Sequence, residues 1–248
     1  MKKTSAPTLV TAFYDIPSKL SLEQRQEKIQ RFLKEYQGNV IVFTEHSFAD
    51  DLALTRMGLE QKTRVVVLNP EEWVATTKFI PALWQQQVKQ DPEIRLARTL
   101  EELKFGFEKK EFMKKAIQMD PFQSTDFLWI DPSFLESEKQ INLTAEFPNT
   151  KKIPIDRVLV ANPESFTADD IASSYFRGKN RISNSLLAGS KQAWQDVCKT
   201  IDVVIAEKLK VSAFIGDDLV VLHYAVIHKP NQFSLVNESS LVSYLSSM

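Results

Sequence analysis

The chain has 248 residues, 43% of them hydrophobic and 25% charged, a composition typical of a globular protein with a sizeable core. Its 31 Lys and Arg residues nearly balance 32 Asp and Glu residues, so no global field favours nucleic acid or an anionic membrane surface. Cys198 is the only cysteine, which excludes an internal disulfide and a multi-cysteine zinc site and suits a reducing compartment. We therefore expect a cytoplasmic protein.

Several sequence patterns that would indicate other protein classes are missing. No stretch approaches the roughly 20 apolar residues that span a bilayer, and the apolar run near the start is too short for a secretory signal. The six glycines are too scattered to form a G-x-G-x-x-G turn or a Walker A loop. Conventional Rossmann dehydrogenases and P-loop enzymes are therefore disfavoured. We see no internal repeat or interdomain linker and expect one domain over residues 1–248.

The first third of the chain alternates strand and helix patterns. Residues 8–14 predict a strand, with Asp15 at its exit. A capping-box pattern at Ser21 opens a predicted amphipathic helix. Residues 40–43 and 64–68 predict two more strands. Alternation of this kind predicts an α/β fold with a mostly parallel sheet and helices on its faces.

The next segment is more polar. Prolines interrupt residues 73–98, where we expect short helices, and residues 101–118 have a helical pattern. Glu108 and Glu111 lie among the lysines of this helix, which favours a solvated charged face over a basic binding patch. The lysines are Lys109, Lys110, Lys114 and Lys115.

An apolar run over residues 127–130 ends abruptly in Asp131 and Pro132. Four large apolar residues without alternation predict a strand buried on both faces, and proline cannot continue its hydrogen-bond ladder. Ligands of open α/β sheets bind at the carboxyl ends of the strands, so Asp131 is a candidate to hold a metal or a polar substrate. Aspartate is also a favoured turn residue, and both interpretations stay open.

The second half continues with a short strand over residues 158–161 and a basic loop over residues 177–181. The loop has three cations within five residues, which suits phosphate binding or simple surface exposure. Residues 190–209 predict a long amphipathic helix, and Cys198 belongs to its apolar stripe. The last residues, 239–248, predict either a short docked helix or a frayed end.

Asp217 and Asp218 open a further predicted helix. Carboxylates in a first turn favour the positive end of the helix dipole, which is a purely structural explanation for both. His223 lies on the apolar stripe of this helix, where a hydrogen-bonded core histidine is favoured over a ligand, and His228 lies near its end.

Five segments together resemble the HtrL/YibB-type bacterial family. They are residues 8–15, 39–44, 103–131, 181–194 and 214–226, with residues 231–235 in the place of the family's ending, and the most specific part is the turn and strand that end at Asp131. The resemblance implies a GT-A-like glycosyltransferase, with a mostly parallel (mixed) central sheet flanked by helices. Such an enzyme would move a sugar from a nucleotide-sugar donor to a glycan or lipid-linked glycan, such as a cell-surface polysaccharide or lipopolysaccharide precursor. Peripheral contact with a membrane stays open.

The resemblance also implies roles for individual residues. Asp131 would hold the donor diphosphate through Mn²⁺ or Mg²⁺, hard cations that take oxygen ligands, with His223, His228 or Asp218 completing the coordination. Asp217 or Asp218 would face the acceptor as a base or an orienting group. The residues expected to border the nucleotide or contact its diphosphate are Thr11, Ala12, Phe13, Asp15, Lys104, Arg177, Lys179 and Arg181.

The chain departs from the family pattern near Asp131. A full D-x-D motif would place a second acid at position 133, where this chain has Ser133. Asn184 and Ser185 stand where the pattern is richer in glycine. Two alternatives therefore stay open: a non-catalytic nucleotide-sugar-binding or interaction protein with a degenerate metal site, and a metal-dependent phosphohydrolase.

Overall fold

A computed structural model describes residues 6–92, 98–132, 134, 147–173, 181–238 and 241–246. Its described strands form one sheet in the order β3-β2-β1-β4-β6-β5-β7. All of them run parallel except β6, which is antiparallel to both β4 and β5. The strands are β1 (Thr8–Phe13), β2 (Asn39–Thr44), β3 (Thr63–Val67), β4 (Asp126–Ile130), β5 (Val158–Ala161), β6 (Ser183–Ser190) and β7 (Phe233–Val236). The predicted mostly parallel α/β sheet is confirmed.

Helices cover both faces of this sheet. They are α1 (Leu22–Glu35), α2 (Ala49–Thr55), α3 (Val74–Thr77), α4 (Pro81–Gln90), α5 (Leu100–Met119), α6 (Ala168–Ser173), α7 (Lys191–Lys210), α8 (Asp218–His228) and α9 (Leu241–Ser246). Single 3₁₀ turns span His46–Phe48, Glu60–Lys62, Pro70–Glu72, Thr150–Lys152 and Pro230–Gln232. Within the described residues, no helix is both long enough and apolar enough to cross a membrane.

Capping residues explain where α1 begins and where α5 begins and ends. Ser21 caps α1 with the reciprocal hydrogen bonds of a capping box, as its sequence spacing predicts. Thr99 does the same for α5, which ends where Asp120 adopts a left-handed backbone conformation with φ of 34°. The buried Arg56 side chain donates to backbone carbonyls just after α1, including Gly38 O at 2.8 Å. These contacts hold α1 against the sheet.

The core has one layer on each face of the sheet. On one face α1, α2 and α9 pack against β1, β2, β4 and β6. On the other face α3, α4, α5, α7 and α8 form the larger layer, with Phe112 and Trp129 stacked near its centre. Leu241 and Leu245 of α9 are buried, so the docked C-terminal helix is the alternative that the structure adopts.

The strand order creates a switch point between β1 and β4. The chain leaves β1 towards β2 on one side, whereas β4 pairs with β1 on the other side. Connections therefore diverge at this point, which leaves a crevice at the carboxyl ends of the two strands. Because β6 is antiparallel, its amino-terminal end reaches the same edge.

Candidate functional site

Asp131 follows β4 directly and lies at the floor of the crevice. Its side chain is 2% exposed, and its backbone N–H donates to Ser185 O of the neighbouring strand region at 2.8 Å. The N–H of Phe134 donates back to Asp131 O at 3.1 Å, which closes a tight turn. The buried strand and its terminal carboxylate lie where the apolar run and Pro132 predict.

Lys109 from α5 joins Asp131 to a second carboxylate. Its Nζ lies 2.5 Å from Asp131 Oδ2 and 2.9 Å from Asp218 Oδ1, and it also lies 5.6 Å above the Phe105 ring. Although burial alone favours the neutral amine, the two carboxylates raise the pKa of Lys109 above its ordinary value. The predicted solvated face is wrong for Lys109 and Lys110, because their side chains are 14% and 8% exposed and form buried ion pairs.

Asp218 is the first residue of α8 and receives two different donors. Besides Lys109, the Asn184 amide at the start of β6 donates to its Oδ2 at 2.6 Å. Burial raises the pKa of Asp218 to about 6, with Lys109 opposing the rise and the carboxylates of Asp217 and Asp131 adding to it. This carboxylate is therefore a better proton acceptor near neutral pH than an ordinary aspartate.

Asp217 has a structural role at the same helix end. Its Oδ1 accepts from the backbone N–H groups of Leu219 and Val220 at 2.7 and 3.3 Å, so it is the N-cap of α8. Its Oδ2 is paired with Arg98, whose guanidinium also holds Asp91 in a two-pronged contact at 2.5 and 2.7 Å. Asp217 therefore caps α8 through hydrogen bonds, one position before the first turn on which the helix-dipole explanation rests.

Two adjoining clefts meet at Lys109. The first has a volume of about 290 Å³ and lies beyond the ends of β1 and β4, and Asp131 is part of its wall. The second has a volume of about 600 Å³ and lies between α5 and the start of α8, with Asp217 and Asp218 in its wall. Pro17, Ser18, Lys19, Glu102, Phe105 and Lys109 line both clefts. A ligand with two dissimilar ends could occupy them together.

The residues predicted to border a nucleotide divide into two groups. Phe13 lines the first cleft, whereas Thr11 and Ala12 are completely buried inside β1. Asp15 is exposed and pairs with Arg25 at 2.9 Å. Arg25 also donates to Tyr14 O at 2.9 Å, lines the first cleft and is only 5% exposed, although the sequence pattern does not single it out.

The predicted diphosphate cations Lys104 and Arg181 lie in different surroundings. Lys104 precedes Lys109 by five residues, which places it about 140° away around α5, on a different side of the helix. Arg181 contacts Asp170 at 2.8 Å and Glu164 at 2.6 Å. Arg177 and Lys179 lie outside the described residues, so their roles stay predictions.

Within the part of the chain that the structure describes, neither histidine joins Asp131 in a group that could hold a metal ion. His223 is 1% exposed, its Nδ1 lies 2.7 Å from Leu219 O, and burial lowers its pKa. His228, near Glu207, comes ten residues after Asp218 in α8, about 15 Å further along the helix axis.

The described residues do not by themselves provide a metal-binding shell. They contain no group of three His, Cys, Asp or Glu side chains that could hold an ion. A hard divalent cation takes about six oxygen ligands, whereas Asp131 and Asp218 both contact the Lys109 ammonium. Ser133, at the expected place of a second acid, lies outside the described residues. The metal ion stays a prediction.

The strand order and the crevice between β1 and β4 define a GT-A-like α/β fold. The family described as "Bacterial protein of unknown function (HtrL_YibB)" matches residues 5–241, and the chain belongs to this family. The solved apo structure of mouse xyloside xylosyltransferase 1 is similar, with a TM-score of 0.51 over 93% of this chain and 84% of that one. The two sequences are 10% identical, so this similarity concerns the fold. No curated protein matches the sequence.

Proposed function

We propose that the protein is a glycosyltransferase. It would move a sugar from a nucleotide-sugar donor to a glycan or lipid-linked glycan, such as a precursor of a cell-surface polysaccharide or lipopolysaccharide. The observation that carries the proposal is the meeting of two clefts at Lys109, between Asp131 and Asp218, at the switch point of a GT-A-like sheet. A transferase needs adjacent spaces for donor and acceptor, with the reacting carbon where they meet.

The first cleft has the chemistry expected for the nucleotide. Phe13, Tyr14 and Phe105 supply apolar surface for a base or ribose. Lys19 and Arg25 supply positive charge that suits a diphosphate. Charge builds on the departing nucleoside diphosphate as the sugar leaves, so cations at this place would stabilise the transition state more than the ground state.

Asp218 is the residue that we assign to the acceptor. It lines the second cleft, is held by Lys109 and Asn184, and has a pKa raised by burial to about 6. In an inverting reaction its carboxylate would take the proton of the acceptor hydroxyl while that oxygen bonds to the anomeric carbon and the nucleoside diphosphate leaves. In a retaining reaction it would orient the sugar instead. Asp217 would act only by positioning the start of α8 and Arg98.

Nucleotide binding gives the first test. We expect at least one nucleoside diphosphate from a set that covers the common bases to raise the melting temperature. Lys19→Met should weaken its binding about five- to tenfold, because an exposed charge-assisted contact to phosphate is lost. Lys34→Met, which removes an exposed lysine of α1 away from both clefts, is the matched control. Absence of binding by every nucleoside diphosphate would refute the proposal.

Turnover gives the second test. Release of nucleoside diphosphate from the matching nucleotide sugar should fall about 10²- to 10⁴-fold in Asp218→Asn, while nucleotide affinity stays within about threefold. Asp196→Asn changes an aspartate on the surface of α7 and should keep full activity. Binding of the nucleotide sugar without any turnover would favour the non-catalytic alternative. Release of phosphate from simple esters would favour the phosphohydrolase.

A further inference from the structure

Lys109 is held in place by an unusually close approach of two backbones. Gly106 lies one turn before Lys109 on α5, and a Cβ atom there would lie 3.2 Å from Gly216 O and 3.5 Å from Asp218 N. The missing side chain therefore lets the start of α8 approach α5. As a result the Asp218 carboxylate reaches the Lys109 ammonium at 2.9 Å.

The ammonium has the position that a bridging cation would need. Its Nζ contacts Asp131 Oδ2 on one side and Asp218 Oδ1 on the other, at distances short enough for charge-assisted hydrogen bonds. A divalent ion bound to the same two oxygens would lie within a few ångströms of the ammonium, and the two positive charges would repel each other.

A second cation lies in the first cleft with unused hydrogen-bonding capacity. Arg25 is 5% exposed, and its Nη1 and Nη2 donate to Tyr14 O and Asp15 Oδ1. Its Nε is buried and has no hydrogen-bond partner among the described residues. Because Arg25 lines the cleft of about 290 Å³, its positive charge favours an anionic ligand there.

We infer that Lys109 is the built-in cation of this site, and that a nucleoside diphosphate binds without a divalent metal. Lys109 bridges the Asp131 and Asp218 carboxylates in place of a metal, and the phosphates are held by protein cations that line the first cleft, among them Arg25. The inference rests on the proposed function for the identity of the ligand. Its claim about the cation can be tested without any nucleotide.

The test removes the ammonium and offers a metal in its place. Without nucleotide, millimolar Mn²⁺ should leave the melting temperature of the wild-type protein unchanged. In Lys109→Met, which removes the ammonium from between the Asp131 and Asp218 carboxylates, Mn²⁺ should raise the melting temperature by roughly 4 to 8 °C. The increase should vanish in Lys109→Met/Asp131→Asn. Lys110→Met should show no increase, because Lys114 still pairs with the Glu111 and Asp202 that Lys110 contacts.

Two results would overturn the inference. One is a Mn²⁺-dependent increase in the wild-type protein that Asp131→Asn abolishes, because the metal would then displace Lys109. The other is no increase in a folded Lys109→Met. If Lys109→Met does not fold, a Mn²⁺ titration of the wild-type protein followed by electron paramagnetic resonance decides: an unchanged free-ion signal supports the inference, and stoichiometric binding lost in Asp131→Asn contradicts it.

Nucleotide binding with and without metal tests this inference separately from the proposed function. We expect a nucleoside diphosphate to raise the wild-type melting temperature equally in EDTA and in Mn²⁺, and Arg25→Lys to reduce the increase. An increase seen only with Mn²⁺ would contradict metal independence. If no nucleoside diphosphate binds in either condition, the proposed function fails, while the Mn²⁺ results still decide the role of Lys109.

Discussion

Glu108 should make the stability of the protein fall as the pH rises above about 5. The residue neighbours Lys109 on α5 but is completely buried, and its two carboxylate oxygens accept from the backbone N–H groups of Val74 and Ala75 at 3.1 and 3.0 Å. Burial raises the pKa of Glu108 to about 7; these hydrogen bonds oppose the rise, and the carboxylate of Glu111 adds to it.

The sign and size of the effect follow from linkage. The folded state holds the Glu108 proton more tightly than the unfolded state, where the pKa is near 4.5. The stabilisation by this proton is complete below the unfolded pKa and is lost as the pH rises through about 7. Between about pH 5 and about pH 8 the wild-type protein should therefore lose roughly 2 to 3 kcal/mol relative to a variant that cannot titrate at this position.

Urea denaturation followed by tryptophan fluorescence measures this difference. Glu108→Gln removes the titrating group, so the urea midpoints of the two proteins should change relative to each other by on the order of 1 M across this pH range. Glu101→Gln, which changes an exposed glutamate in the first turn of α5, is the matched control. If the urea midpoints of the wild-type protein and Glu108→Gln change in parallel over this pH range, burial does not raise the pKa of the Glu108 carboxyl and the reasoning fails.

Three further measurements test the packing of the core and the candidate site separately. Arg56→Met removes the donors that hold the end of α1 and should cost about 3 to 4 kcal/mol of unfolding free energy in urea, whereas Arg64→Met on the exposed side of β3 should cost little. Gly106→Ala should push the Gly216 backbone away and lower nucleoside diphosphate release about tenfold or more at nearly unchanged melting temperature. The thiol of Cys198 should not react with a thiol-specific dye until the protein unfolds, because burial raises its pKa to about 12.

The sheet could be predicted from local patterns because its central strands are buried on both faces. The apolar run of β4 predicts both its burial and the place of Asp131, and β1 and β2 match their predicted bounds within a residue or two. Two elements have no comparable pattern. The edge strand β7 contains only four residues, of which Phe233 alone is buried, and α2 has only a narrow apolar side around Leu52.

The site could be predicted only in part, because its members are far apart in sequence. Lys109, Asp131 and Asp218 meet through the packing of α5, β4 and α8, and no local spacing encodes that contact. The glutamates interleaved with the lysines of α5 predict a solvated face, whereas the helical spacing indicates a buried position for Lys109. Met113 and Ala116 follow Lys109 by four and seven residues on the buried side of α5, so this lysine shares their face.

The reversed direction of β6 gives the sheet a connection that leaves and re-enters it at the same edge. The connection from β5 to β6 leaves the sheet at Ala161 and returns at Ser183, and both points lie at the edge that carries Asp131. A segment attached in this way can be lengthened, shortened or replaced without changing the pairing of any strand. A change in the length or sequence of this connection would therefore alter the lining of the edge that carries Asp131, while the register of β4, β5 and β6 is kept.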